Sequence, residues 1–279
     1  MKRLSKQICD LYLPLKMNPR VEITMTTVTP DDHLEAARIA TAAGELLLSI
    51  RDEMSARGAD SKEMKDEGDR RSHEFIMEEL RRVRPDDAIL SEEGKDGVER
   101  LSSDRTWIVD PVDGTREFSE PPRTDWAVHV AMVIDGKPVV GAVALPGLGI
   151  TLSTGENPVQ MPETGQTPPR MIVSRSRPPA AALAVADKLG AELVEMGSAG
   201  AKAMSVVRGE SEMYAHSGGQ YEWDSCAPVA VALAAGLNCS RIDGSELTYN
   251  HEDPYLPDLL ICRPEYAEAA LEALASVEH

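Results

Sequence analysis

The chain has 279 residues, enough for one large or two medium-sized domains, and a formal net charge of −18. Such an acidic chain repels phosphate polymers, and no apolar run approaches the about 20 residues that span a bilayer, so we expect neither a nucleic-acid polymer nor a membrane as a partner. The four cysteines include no Cys-x-x-Cys pair, which disfavours a zinc site and favours a reducing cytoplasm.

The N-terminal stretch lacks both the apolar segment and the cleavage site of a signal peptide. We expect residues 1–25 to be a disordered extension or the product of a misplaced start.

Two helices are predicted after this stretch. Thr29 can cap the first, and Pro30 suits its first turn. The second is predicted over 70–83. Helical spacing assigns to one side of each helix Leu34, Ala37, Thr41 and Leu48 in the first and Ile76, Leu80 and Val83 in the second.

Strands that end in acidic residues come next. The stretch "DAILSEEG" predicts a short strand over 87–91, and "TWIVD" predicts another. Asp135 and Gly136 form a tight-turn pair between two β-rich runs, which predicts a hairpin. Residues 26–153 are therefore expected to form an N-terminal half with paired helices on an antiparallel sheet.

A stretch rich in Pro, Gly and polar residues, 154–169, predicts a surface loop or a domain junction. Beyond it the pattern alternates between strand and helix, beginning with "RMIVS" and "PAAALAVADKLG" and ending with "DLLIC" and "PEYAEAALEALAS". This alternation indicates a layered sheet covered by helices, so residues 154–279 are expected to form a C-terminal α/β half.

Acidic residues gather where the predicted strands end and where a later helix begins. Carboxylates that are brought together repel one another unless a cation neutralises them, and all-oxygen ligands favour Mg²⁺, Mn²⁺ or Ca²⁺. Gly114 and Thr115 follow two of these acids and offer backbone N–H groups to a phosphate oxygen. The acids concerned are Glu92, Glu93, Asp110, Asp113 and Asp224.

Each piece alone also has a simpler explanation. Asp-Pro and Asp-Gly pairs are common in turns, Asp224 suits a helix N-cap, and "SEEG" suits a solvated loop end. An EF-hand does not fit, because Val109 would take the first position of the loop, where an aspartate is needed.

Four motifs occur in a fixed order: "LSEEG", "WIVDPVDGTREF", "GSAGAK" and "EWDSCAP". Together they resemble the inositol-monophosphatase superfamily of Mg²⁺-dependent, lithium-sensitive phosphatases, from Asp31 to the C-terminus. The segments "TREF", "HSGGQYEWD" and "YNHEDPYLPDLL" are similar to the branch of CysQ-type bisphosphate nucleotidases. The resemblance implies an α/β (α+β) fold, a layered αβαβα sandwich with the site where the two halves meet.

The resemblance also implies roles for individual residues. One metal ion would lie between Glu92, Asp110 and the carbonyl of Val112, and a second between Asp110, Asp113 and Asp224. The catalytic residues would be Asp69, Thr115 and Glu92. The substrate contacts would be Asp113, Gly114, Thr115, Arg116, Ser198, Lys202 and Asp224.

The segment around Asp69 departs from the family pattern. Asp66, Glu67 and Gly68 stand where the family carries a threonine or serine shortly before the aspartate. Asp69 matches best the aspartate that orients the attacking water, and Glu67 is the alternative.

Some side chains have two readings. Arg116 either reaches a substrate phosphate or pairs with Glu117 or Glu120, and Lys202 either contacts substrate or is a solvated helix lysine. Tyr221 and Glu222 are candidates to line the pocket, whereas Trp223, His129 and His216 are expected to be structural.

The expected activity is Mg²⁺-dependent removal of the 3′-phosphate from adenosine 3′,5′-bisphosphate, or second from 3′-phosphoadenosine 5′-phosphosulfate, in sulfate assimilation. Two or three Mg²⁺ ions are expected, with Mn²⁺ able to substitute and Li⁺ inhibitory. The alternatives are an inositol monophosphatase or a fructose-1,6-bisphosphatase and, in another class, a non-catalytic sensor of metal and phosphonucleotide. The protein is expected to be cytoplasmic, to act on a small phosphorylated substrate and, as family members often do, to form a homodimer.

Overall fold

The computed structural model describes residues 27–95, 97–155, 165 and 167–276. The expectation for residues 1–25 lies outside this part of the chain, and so does most of the loop over 154–169. Within the described residues, no helix is long and apolar enough to cross a bilayer.

Sheet 1 contains five strands in chain order. The first two are parallel and the others are antiparallel, so the hairpin predicted around Asp135 and Gly136 is confirmed. The fifth strand, Ile150–Ser153, was not predicted. The strands are β1 (Ala88–Ser91), β2 (Thr106–Asp113), β3 (Ala127–Ile134), β4 (Lys137–Leu145) and β5 (Ile150–Ser153).

Sheet 2 also contains five strands, in the order β7-β6-β8-β10-β9. The middle of this sheet is mixed, because β6 is parallel to both β7 and β8 whereas β10 is antiparallel to β8 and β9. The strands are β6 (Arg170–Ser174), β7 (Glu192–Met196), β8 (Met213–Tyr221), β9 (Asn238–Ser240) and β10 (Tyr255–Cys262).

Helices cover both outer faces and fill the space between the sheets. α1 and α2 pack on sheet 1, α5 and α6 lie in the middle layer, and α4 and α7 pack on the outer face of sheet 2. The expected αβαβα sandwich is confirmed. The helices are α1 (Pro30–Ala56), α2 (Ser61–Val83), α3 (Thr115–Phe118), α4 (Ala180–Leu189), α5 (Ala199–Val207), α6 (Glu222–Ala234) and α7 (Ala267–Leu274).

The apolar side chains between the five layers form three cores, and the middle core contacts α5, α6 and both sheets. Neighbouring residues of β2 point to opposite faces of sheet 1, so Trp107 lies in the core beneath α1 and α2, and Ile108 lies in the middle core. In sheet 2, Leu259 faces the middle core and Leu260 faces the core beneath α4 and α7. Burial on both faces explains why the central strands are almost continuously apolar.

The buried side of α1 differs from the predicted one. Leu34 is 60% exposed and Thr41 is exposed as well, whereas Ala37 and Leu48 are half-buried. Small residues instead allow α1 to approach sheet 1, and a Cβ on Gly44 would lie 2.6 Å from Pro146 Cγ. The predicted helical spacing therefore missed the actual stripe, which contains both small and large apolar side chains. The buried apolar side chains of α1 are Ala36, Ile39, Ala40, Ala43, Leu47, Ile50 and Met54.

Helix α2 begins at Ser61 rather than at residue 70. The Asp60 carboxylate accepts the N–H groups of Lys62 and Glu63 at 2.8 and 2.9 Å, which caps the helix at its true start. The first turns are mostly polar, so apolar spacing gave no signal there. Ile76 and Leu80 are buried as predicted.

Gly141 on β4 allows α6 to lie close to sheet 1. A Cβ at this position would lie 2.6 Å from Ala230 Cβ and 2.8 Å from the Ala227 carbonyl oxygen, both on α6. We expect Gly141→Ala to lower the free energy of unfolding by about 1–3 kcal/mol, because this core has no space for the extra methyl group. Chemical denaturation would measure the change. Gly155→Ala is the matched control, since its Cβ would meet no atom nearer than 3.5 Å; equal stability of the two variants would contradict the close packing.

Candidate metal centre

The parallel pairing of β1 and β2 brings their carboxyl ends to the same edge of sheet 1. Ser91 lies opposite Val109, and the N–H of Glu92 donates to the Val109 carbonyl oxygen at 3.3 Å. Glu92 therefore leaves β1 beside Asp110, where β2 approaches its own end. The strand ends were predicted, but the antiparallel sheet expected for this half is wrong for this pair, because antiparallel pairing would place the two carboxyl ends at opposite edges.

Asp110 and Asp113 lie on either side of an irregularity in β2, where the pairing with β3 is interrupted. The N–H of Val112 donates to Asp110 Oδ1 at 3.0 Å. From α2, the Ser72 hydroxyl donates to the Pro111 carbonyl oxygen at 2.8 Å and holds the same segment from the other side. Both carboxylates are buried, with exposed fractions of 1% and 5%.

Asp224 comes from the first turn of α6, in the middle layer. The N–H of Tyr221 donates to Asp224 Oδ2 at 2.7 Å, which fixes the carboxylate at the helix start. Carboxylate oxygens of Asp110, Asp113 and Asp224 all lie within 4.8 Å of one another. Sheet 1 and α6 thus bring three of the predicted metal ligands to one point.

The burial of these acids is only partly compensated within the protein. Burial raises the pKa of Asp110 well above its usual value, and the charges of Glu92, Asp113 and Asp224 raise it further. Desolvation in the crowded cleft also raises the pKa of Glu92, although the residue as a whole is exposed to solvent. Burial and the charge of Asp113 raise the pKa of Asp224 to about 7. The cluster therefore favours a positive charge at its centre.

Asp113 differs from its neighbours because several donors surround it. Ser198 Oγ and the N–H of Gly200 donate to Oδ2, the latter at 2.6 Å, and the N–H of Ala199 donates to Oδ1 at 3.0 Å. Burial pushes the pKa of Asp113 upward, but the charge of His129 and these hydrogen bonds hold it at about 2. Asp113 therefore remains a carboxylate near neutral pH.

His129 contacts the centre from β3, although the sequence indicated only a structural role. Its Nε2 lies 3.2 Å from Asp113 Oδ2, and its Nδ1 lies 2.9 Å from the Trp223 carbonyl oxygen. Burial opposes charging of the ring, yet the charge of Asp113 raises the His129 pKa. The sequence offered one signal, a polar residue within the apolar run "AVHVAMV". Its position opposite Asp110 follows from the β2–β3 register, which the sequence did not reveal.

The two candidates for the water-orienting acid on α2 lie in different surroundings. Burial, followed by the charges of Glu93 and Glu92, raises the pKa of Asp69 to about 7, so Asp69 faces the acidic edge of sheet 1. Glu67 instead pairs with Arg70 at 3.0 Å. These surroundings favour Asp69 for the proposed role.

Gly114 and Thr115 form the turn from β2 into α3. Gly114 has φ 83°, which favours glycine, and a Cβ there would lie 2.9 Å from Ser198 Cβ. The Thr115 hydroxyl donates to the Val112 carbonyl oxygen at 3.2 Å. The turn therefore passes directly beside the start of α5.

The predicted substrate contacts are not all free side chains. Lys202 is buried rather than solvated, and its Nζ donates to the Ser198 carbonyl oxygen at 2.5 Å and lies 5.4 Å from the centre of the Tyr214 ring. Burial lowers the Lys202 pKa. Arg116 is exposed and pairs with Glu120 at 3.1 Å, as the alternative reading of this residue had it.

The donor set fits a hard divalent cation. It consists of carboxylate oxygens, and the raised pKa of buried Asp110 indicates a negative charge that the described residues do not neutralise. Glu92 stands next to this set and offers a further carboxylate. A thiolate-preferring ion does not fit, because Cys226, Cys239 and Cys262 lie outside this group.

Sequence comparison identifies the family of this chain. The profile of the inositol monophosphatase family matches residues 31–279, so the chain belongs to that metal-dependent family. A 3′-phosphoadenosine 5′-phosphate phosphatase of Mycobacterium leprae is 48% identical over 254 residues, which cover 87% of this chain and 93% of the relative. The 3′(2′),5′-bisphosphate nucleotidase CysQ of Escherichia coli is 32% identical over 195 residues, which cover 66% and 79%.

Solved structures show the same architecture. CysQ from Bacteroides thetaiotaomicron, a bacterial member of the family, superposes with a TM-score of 0.70 at 27% identity, covering 84% of this chain and 97% of that one. An inositol monophosphatase from Anabaena gives a TM-score of 0.71 at 22% identity, covering 88% and 96%. At 22% identity, the second likeness supports the fold alone.

Because the buried carboxyl groups have raised pKa values, we expect the metal-free protein to lose stability as pH increases. Asp224 has a pKa of about 7 when folded and a reference value of 3.8. Between about pH 4 and pH 7 the unfolded chain gives up this proton before the folded chain does, so ionisation favours unfolding. We expect Asp224→Asn to raise the melting temperature in chelator, by an amount that increases across this window. A difference that shrinks toward pH 7 would contradict this assignment.

Proposed function

We propose that this protein is a Mg²⁺-dependent phosphomonoesterase that removes the 3′-phosphate from adenosine 3′,5′-bisphosphate. The observation that carries the proposal is the convergence of Asp110, Asp113 and Asp224 within 4.8 Å beside the turn Gly114–Thr115, which is called here the phosphate turn. The substrate class is supported by the 48% identity to a protein named 3′-phosphoadenosine 5′-phosphate phosphatase. The same reaction on 3′-phosphoadenosine 5′-phosphosulfate is a second activity, and both belong to sulfate assimilation.

We assign the metal ligands as two overlapping sets. Glu92, Asp110 and the carbonyl of Val112 would hold one ion, and Asp110, Asp113 and Asp224 would hold another. Such ions supply a water of lowered pKa and neutralise charge on the phosphoryl oxygens. Mg²⁺ fits the all-oxygen set, Mn²⁺ should substitute for it, and Li⁺ should inhibit.

The chain's own residues orient the reactants. Asp69 has a pKa of about 7, which suits a group that accepts a proton near neutral pH. The charge of Glu92 contributes to this pKa, and Glu92 is hydrogen-bonded to Asp110. Thr115 would direct its hydroxyl to the attacking water, and the N–H groups of Gly114 and Thr115 would bind the scissile phosphate. The bound phosphate would thus meet backbone donors on one side and the carboxylate-held cations on the other.

Positive side chains near the centre would bind the rest of the substrate. Lys202 is buried, and it lies close enough to Asp113 and Asp224 for their charges to oppose the lowering of its pKa. Ser198 orders Asp113 and places the start of α5 against the phosphate turn. Arg116 would have to leave Glu120 in order to reach a phosphate, so we assign it a weaker contact.

A cytoplasmic location, a homodimer and the division into halves at residue 154 remain proposals from the sequence. Sheet 1 comes from one half and sheet 2 from the other, and Asp224 of the second half joins Asp110 and Asp113 of the first.

Phosphate release tests the proposed function. Adenosine 3′,5′-bisphosphate, inositol 1-phosphate and fructose 1,6-bisphosphate would be compared as substrates, each with Mg²⁺ and with chelator. We expect the highest kcat/KM on the nucleotide and no turnover in chelator. A preference for inositol 1-phosphate or fructose 1,6-bisphosphate would overturn the substrate assignment, and tight nucleotide binding without any turnover would support the non-catalytic sensor instead.

A further inference from the structure

Three aromatic side chains form an exposed group at the start of α6, called here the aromatic ledge: Tyr221, Trp223 and Tyr255. The rings of Tyr221 and Trp223 are stacked, with centroids 4.9 Å apart and planes at 8°. The Tyr255 ring lies nearly perpendicular to that of Tyr221, at 80°, with centroids 5.8 Å apart. Trp223 packs against the middle core, whereas Tyr221 and Tyr255 are each 42% exposed. The exposed parts of these two tyrosine rings do not contribute to the packing of the fold.

The ledge is joined to the metal centre by the backbone. The N–H of Tyr221 donates to Asp224 Oδ2 at 2.7 Å, and the Trp223 carbonyl oxygen lies 2.9 Å from His129 Nδ1. The position of the Tyr221 ring is thus set by the same short segment that supplies a proposed metal ligand. A substrate phosphate at the centre would lie next to the segment that carries this ring.

Open space adjoins the ledge. Gly218 and Gly219 precede it on β8, and a Cβ on either would meet no atom within 4 Å. The N–H of Gly219 donates to the Tyr255 hydroxyl at 3.2 Å, which orders one side of this space. A planar group could therefore approach the ledge without displacing a side chain.

Stacking explains why aromatic rings should stand exposed at this point. One face of the Tyr221 ring is covered by Trp223, and its exposed area offers a flat, polarisable surface to a ligand. Purine bases stack on such rings, whereas inositol and sugar phosphates have no planar group that can do so. The ledge therefore selects for a base attached to the phosphorylated sugar.

We propose that the exposed face of Tyr221 stacks on the purine base of the substrate and makes the enzyme prefer nucleotides over phosphorylated polyols. This inference rests on the proposed function and names the part of the chain that recognises the base. Trp223 supports the ring from beneath, and Tyr255 limits its movement from the side.

The test combines two variants with two substrates. Tyr221→Leu removes the aromatic face, and Tyr221→Phe keeps it and removes only the hydroxyl. We expect Tyr221→Leu to raise the KM for adenosine 3′,5′-bisphosphate about tenfold with a much smaller change in kcat, and Tyr221→Phe to stay close to wild type. On glycerol 2-phosphate, which has no base, the loss in kcat/KM for Tyr221→Leu should be much smaller than on the nucleotide.

A second measurement tests the stacking role independently of turnover. Tryptophan fluorescence would monitor the binding of adenosine 5′-monophosphate with Mg²⁺ present. We expect Tyr221→Leu to weaken this binding by about the same tenfold factor. Equal losses on both substrates, or wild-type nucleotide binding in Tyr221→Leu, would overturn the stacking role. A wild-type preference for inositol 1-phosphate would instead contradict the proposed function, and the binding titration would still decide whether Tyr221 stacks.

Discussion

Asp110→Asn should lower kcat by about three orders of magnitude while leaving the protein folded. Asp110 lies in both proposed ligand sets, so its loss removes an oxygen anion from each ion at once. The side-chain oxygen of asparagine can still accept the N–H of Val112, which keeps the local turn in place. Phosphate release from adenosine 3′,5′-bisphosphate at saturating Mg²⁺ would measure the effect.

In chelator, Asp110→Asn should be more stable than the wild type, although it is much less active. Asp110 is buried beside Glu92, Asp113 and Asp224, and this surrounding raises its pKa well above the usual value. Removing the carboxylate relieves that repulsion, so Asp110→Asn should melt at a higher temperature than wild type in chelator and gain less from added Mg²⁺. Asp187→Asn, an exposed change on α4, serves as the control. Near-normal turnover in Asp110→Asn would refute the ligand assignment.

Gly200→Ala should disrupt the centre from the other side. A Cβ at Gly200 would lie 2.0 Å from His129 Nε2 and 3.1 Å from Asp113 Oδ2. Because His129 is fully buried and cannot swing into solvent, the added methyl group must displace the ring, the carboxylate or the start of α5. We expect kcat/KM to fall about a hundredfold, since small displacements of catalytic groups are this costly, and the free energy of unfolding to fall by about 1–3 kcal/mol.

The comparison with Gly141→Ala separates the two effects. Both variants add one methyl group to a closely packed position, but Gly141 contacts α6 at Ala227 and Ala230, beyond its first turn. Gly141→Ala should therefore lose stability and keep most of its kcat/KM when assayed below its melting temperature. If Gly200→Ala loses no more activity than Gly141→Ala, the close contact with His129 is unimportant for the site.

The acidic centre was predictable because its residues stand at element ends. Glu92 follows β1, and Asp110 and Asp113 lie in the second half of β2. The parallel pairing that brings these ends together was not predicted, because an antiparallel sheet was expected for this half. Asp224 at the first turn of a helix was weaker evidence by itself, and the combined motifs made it specific. The ligands could thus be named from sequence order, before any distance was known.

Other features depend on contacts that sequence order does not reveal. The role of His129 follows from its register opposite Asp110, and the role of Ser198 in binding Asp113 follows from the packing of α5 against the phosphate turn. The buried stripe of α1 combines larger residues such as Ile39 and Leu47 with small ones such as Gly44 beside Pro146, and helical spacing alone did not identify this side. Strand β5 was not predicted, because it is only four residues long and directly follows the turn at Pro146–Leu148.

The most direct test of the metal centre is an anomalous difference map from crystals of the full chain soaked with Mn²⁺. We expect one peak between Asp110, Asp113 and Asp224 and a second between Glu92, Asp110 and the Val112 carbonyl. Strong peaks elsewhere with none between these carboxylates would contradict the assignment on which the proposed activity depends.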